Sequence, residues 1–127
     1  QGENYTKERD YGMILNLTLK KQWYDLIAKG EKLEEYREIK PFWAVRLIAG
    51  FPSNATDSNL AAYFANNKGR NPDFKPFTHV RFQHGYSKNA PFVTFEIREI
   101  CISEGVPQWG AEPGKRYFVI KLGERIL

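Results

Sequence analysis

A chain of 127 residues, 42% hydrophobic and 15% aromatic, has the size of one domain and enough apolar surface for a buried core. Its 27% charged fraction excludes a disordered polyelectrolyte, and no apolar run reaches the roughly 18 residues of a membrane helix. The net charge of +4 suits an anionic partner but falls short of a surface that neutralises a long duplex.

Residues 1–12 are polar and aperiodic, and the leading Gln-Gly matches the remnant of a protease-cleaved tag. They are treated as an N-terminal extension to a domain spanning residues 13–127. Met13 to Leu19 alternates, with Met13, Leu15, Leu17 and Leu19 on one face, as a half-buried strand should. From Lys20 to Lys29 the period changes, and Trp23, Leu26 and Ile27 form one apolar stripe of a short helix. Gly30 supplies its left-handed stop.

Leu33 to Ile39 reads as a second strand with Leu33, Glu35, Arg37 and Ile39 on one face. If the two aliphatics point inward, the two charges between them are drawn inward as well. Such charges need pairing or a wet cleft. Pro41 opens a helix that Phe42, Val45 and Leu47 can pack down. Leu60, Tyr63 and Phe64 mark another, begun by Thr56, Asp57 or Ser58 and ended near Asn67 to Gly69.

Phe77 to His84 alternates again, and Gly85 to Pro91 is a polar loop. Phe92 to Ile102 is a long strand whose apolar phase slips, which a bulge near Arg98–Glu99 would explain. A loop around Trp109 leads to a last strand from Tyr117 to Leu122 and a turn at Gly123. The pattern predicts an α+β domain: a small mixed β-barrel of five or six strands with two or three short helices.

Cys101 is the sole cysteine. It allows no internal disulfide, suits a reducing compartment and reads as a buried, inert thiol. With no charged-then-apolar leader, a cytoplasmic location is expected. No metal and no cofactor are expected: P-loop, dinucleotide and zinc motifs are lacking, and His79 and His84 fall on opposite faces of a strand.

The octet Gly30 to Arg37, GEKLEEYR, carries the most chemistry. Gly30 turns the helix directly into the strand, and Lys32 leaves that turn. Lys32 and Arg37 offer donors to phosphate or carbonyl oxygens. Glu35 can orient those cations, accept from a base amine or act as a general base. The plainer reading is a surface ion-pair cluster. Lys20 could extend a positive rim. Six basic residues (Lys68, Arg70, Lys75, Arg81, Lys88, Arg98) against Asp73 and Glu96 give residues 68–98 a local +4. Within that segment Arg81, His84 and Tyr86 sit on or beside a loop, and Tyr86 or Trp109 could stack on a base. Trp109 reads first as an anchor pinning its loop to the core, and Trp23 and Trp43 are assigned to packing.

Gly30-x-Lys32-x-x-Glu35-x-Arg37 resembles the signature of the ASCH superfamily, in the same strand–helix–strand setting. LTLKKQWYDLIAKGEK, HGYS, WG and YFVIKLGE look like that family too, so the resemblance runs from about Met13 to the end. It implies a PUA-like pseudo-barrel that binds RNA or nucleotides beside the motif. Some members of the family are nucleases or amidohydrolases on acetylated cytidine. The amidohydrolase branch carries Thr where this chain has Glu35, which counts against the same reaction. The leading expectation is a monomeric binder of single-stranded RNA or of a modified nucleoside or nucleotide. The alternatives are a small hydrolase (amidohydrolase or ribonuclease) using Lys32 and Glu35, and a protein-interaction domain with a structural ion cluster.

Overall fold

The computed structural model describes residues 12–127, so the expectations for residues 1–11 lie outside the described residues. Five strands and three α-helices follow in order. They are β1 (Met13–Leu19), α1 (Lys21–Ala28), β2 (Glu34–Glu38), α2 (Pro41–Leu47), α3 (Asp57–Asn66), β3 (Phe77–His84), β4 (Phe92–Glu104) and β5 (Arg116–Arg125). A 3-10 turn, Pro107–Trp109, precedes β5. The strands pair in the order β1-β3-β4-β5-β2, with β1 parallel and β4 antiparallel to β3. This mixed five-stranded sheet with three short helices is the α+β class, and the small mixed-barrel composition, that the pattern predicts. No described helix is long and apolar enough to cross a membrane.

Two compact units divide the chain. Among the described residues one holds 12–34, 76–99 and 121–127, and the other holds 35–75 and 100–120. In the first unit, alternation on β1 buries Leu15, Leu17 and Leu19, while Met13 at the strand end stays exposed. Leu15 and Leu17 stand in register with Val80 and Phe82 on β3, which face Phe95 and Val93 on β4. Ile27 is the fully buried residue of the α1 stripe, a burial that stabilises by about 2 kcal/mol. Gly30 ends α1 at φ +79°: its N–H donates to the Ile27 carbonyl and that of Glu31 to Leu26, a Schellman stop.

In the second unit, Ala44, Leu47 and Ile48 form the buried side of α2, whereas Phe42 is half exposed. The expectation that Phe42 packs α2 down is therefore corrected. It lies on the outer face with the Arg46 guanidinium 3.5 Å from its ring centre, as i, i+4 spacing allows. Thr56 caps α3 through a reciprocal box with Asn59. Thr56→Ala should cost about 1 kcal/mol, read as a lower urea midpoint; an unchanged midpoint would show that the cap contributes nothing.

Two other expectations also change. β4 runs past the expected Ile102 to Glu104; Val93, Thr94, Phe95 and Cys101 are buried, Ile100 and Ile102 are half-buried, and Arg98 and Glu99 between them are both exposed. The glycine at 123 does not turn the chain, because β5 continues to Arg125. A Cβ there would meet Glu96 Cβ at 3.3 Å and its carbonyl oxygen at 3.4 Å, so glycine permits a close strand approach.

Candidate functional site

The octet divides between the units, and each half has its own tryptophan. In the first unit, the Schellman stop leads straight to Lys32, which is only 1% exposed. Its Nζ donates to the Glu34 carbonyl at 2.6 Å and lies 5.3 Å from the centre of the Trp23 ring. Burying an ammonium is costly without such partners, because its hydration is lost.

In the second unit, period-two alternation puts Glu35 and Arg37 on one face of β2. Arg37 Nη2 donates to Glu35 Oε2 at 2.7 Å, and the guanidinium carbon sits 4.7 Å from the centre of the Trp43 ring on α2. Glu35 is 7% exposed. On the opposite face Tyr36 packs against Cys101, Ala111, Tyr117 and Val119, and its hydroxyl accepts from the Val106 N–H at 2.9 Å. Cys101 is buried, as expected, and forms no disulfide among the described residues. Beyond the pair, exposed Glu38 lies 3.0 Å from Lys115 and 3.6 Å from Lys40. The Lys115 hydrogen bond, with both lysine charges adding, holds the Glu38 carboxyl below its usual range.

The expected inward pull of Leu33 and Ile39 does not occur. Leu33 is 51% exposed and Ile39 is half-buried, while the charged residues between them are covered. Tyr36 supplies the apolar contact of β2 instead, leaving its other face to a desolvated ion pair. The two tryptophans assigned to packing are the residues missed. A signal was present, since one Trp lies shortly before the octet and one shortly after it, and aromatic faces attract cations.

The remaining candidates separate. Lys20 is the exposed N-cap residue of α1 and makes no side-chain cap. His84 ends β3 in register with Leu19, which brings Lys20 and His84 to one end of the parallel pair. The His84 ring lies 5.7 Å from that of Tyr24, a neighbour sequence reading did not single out. Asp25 shares this end: its carboxyl is held below the usual range, first by the hydrogen bond from Lys21 at 2.7 Å, with the charges of Lys21, Lys29 and His84 adding. Tyr86, 90% exposed, stands in the following loop, which Gln83 ties through the Gly85 carbonyl at 3.0 Å.

Arg81 stacks on Phe92, with its guanidinium carbon 3.8 Å from the ring centre, and its Nε is buried without a hydrogen-bond partner among the described residues. In the second unit Trp109 is half-buried in the 3-10 turn, its N–H on the Val106 carbonyl at 2.9 Å. His79 is buried, with Nδ1 2.8 Å from the Thr78 hydroxyl. Compared with known proteins, the chain matches no family model, no curated protein and no solved structure.

Proposed function

We propose that the chain is an ASCH-type, PUA-like module that binds a single-stranded RNA segment, or a modified nucleoside or nucleotide, through the octet Gly30 to Arg37. The observation that carries this reading is the inversion of burial along the octet. Lys32 and Glu35 are covered while Leu33 between them is exposed. Charges are desolvated against hydrophobic preference mainly where chemistry uses them. Arg37 presents a flat cation whose plane is set by Glu35 and Trp43, a form suited to phosphate oxygens or a base face. Glu35 accepts from an exocyclic amine. Lys32, tied to the Glu34 carbonyl, holds the turn that leads into β2. The modest net charge favours a short or mononucleotide-sized ligand over a duplex. A single buried cysteine accords with a reducing, cytoplasmic compartment.

A thermal-shift screen against nucleosides, nucleotides and short RNA oligomers tests the reading, with Lys32→Met and Arg37→Lys as controls. An octet ligand at about 100 times its Kd adds roughly 2.7 kcal/mol, and the stabilisation it gives through the octet should disappear in both variants. Product analysis of any hit distinguishes binding from hydrolysis. Silence from a cooperatively melting protein would overturn the reading and leave the octet as a structural ion cluster in a protein-interaction domain.

A further inference from the structure

An open surface pocket of about 400 Å³ lies wholly within the second unit, apart from the Glu35–Arg37 pair. Its walls are Phe64 on α3, residues 67–71 of the following loop, Ile102 on β4 and Arg116 at the start of β5. The volume falls within the range of small-ligand pockets.

The charge on its walls is one-sided. Lys68, Arg70 and Arg116 come from two separate parts of the chain and line one space, and no acidic residue lines it. None of the three is in an ion pair among the described residues. Arg116 is oriented by donating through Nη2 to the Ile102 carbonyl at 3.2 Å. Across from it the loop is folded on itself. The Asn67 amide donates to the Tyr63 carbonyl at 2.7 Å, and the Arg70 N–H donates to the Asn67 carbonyl at 3.1 Å. All three side chains are exposed, so water screens their mutual repulsion, and an anion drawn among them is attracted by all three at once.

The chemistry of the walls narrows that anion. Two guanidinium forks and an ammonium match the several oxygens of a phosphate better than a lone carboxylate. Phe64 and Ile102 give an apolar wall that a bare inorganic ion cannot use, whereas a ring of base size can lie against it. We infer that this pocket binds a nucleoside monophosphate, its phosphate between Lys68, Arg70 and Arg116 and its base against Phe64. This second site does not depend on the octet, and it gives a role to the start of the basic stretch 68–98.

The test is a titration of the isotope-labelled chain with AMP and UMP, followed through each backbone amide, with inorganic phosphate in parallel. The expected result is saturable shifts at residues 64–71, 102 and 116, with nucleotides binding at least about tenfold more tightly than phosphate. Arg116→Gln and Arg70→Gln should each weaken nucleotide binding by about tenfold, the usual worth of one charge-assisted contact. Arg70 is exposed in a loop, so its variant keeps the test valid if Arg116→Gln fails to fold. Arg37→Lys should leave these shifts unchanged. No shift at these amides, equal binding of phosphate and nucleotide, or unaltered affinity in Arg70→Gln would each overturn the proposal. Shifts confined to residues 30–37 would overturn it while supporting the octet; shifts confined to the pocket would support it without bearing on the octet's RNA or modified-nucleoside ligand.

Discussion

Glu35→Ala should destabilise the protein by about 3 kcal/mol, a fall in Tm on the order of 10 °C for a domain of this size. The carboxylate and guanidinium it pairs with have side chains only 9% and 16% exposed, so solvent cannot replace the lost partner. Removing one member of a buried pair leaves the other desolvated, which costs more than the pair itself contributes. Arg37 also lies over Trp43, and a guanidinium that swings out to find water uncovers that indole. Glu35→Gln, which keeps an acceptor, should lose less. Urea denaturation of both variants measures the difference. Equal midpoints for Glu35→Ala and the parent would mean that the pair is solvated in solution and that the octet is a surface cluster. The loss should appear without any ligand, so it is distinct from an effect on binding.

Gly105→Ala should cost about 2–3 kcal/mol, through crowding rather than charge. A Cβ at this position would stand 2.6 Å from Ala111 Cβ and 2.7 Å from Cε1 and Cζ of Tyr36. Neither neighbour yields easily. Ala111 is buried in the cluster with Cys101, Tyr117 and Val119, against which Tyr36 packs. The Tyr36 hydroxyl is fixed by the Val106 N–H, so moving the ring gives up that bond as well. The expected readout is a lower urea midpoint at an unchanged m-value. An unchanged midpoint would show that the loop from Gly105 to Ala111 can shift freely. Tyr36 lies between Glu35 and Arg37, so a loss of ligand binding in this variant would show that β2 has moved rather than that Gly105 touches the ligand.

Much of the local structure was legible because it depends on near neighbours. β1 and β3 begin and end where alternation begins and ends. The helix after β1 stops where Gly30 supplies a left-handed residue, and Thr56 caps α3 with Asn59. The octet stood out because it interrupts an apolar face with charge. Its inner side was misread, however. Period-two alternation shows which residues share a face but not which face meets the core, and Leu33 and Ile39 suggested the wrong one. Tyr36 on the other parity makes that contact.

What the sequence determined by itself was the α+β class, the order and approximate bounds of the elements, and the octet as the place where charge departs from pattern. Propensity, capping and periodicity act over a few residues, and they are written in a few residues. Only the tertiary structure decided that β1 pairs parallel with β3 and that β2 joins β5. It also decided that Trp23 and Trp43 lie against Lys32 and Arg37, and that Arg116 meets Lys68 and Arg70 around one pocket. These partners are distant along the chain or lie on separate elements. Their meeting depends on how all the apolar faces are buried at once, a property that no local window of the sequence contains.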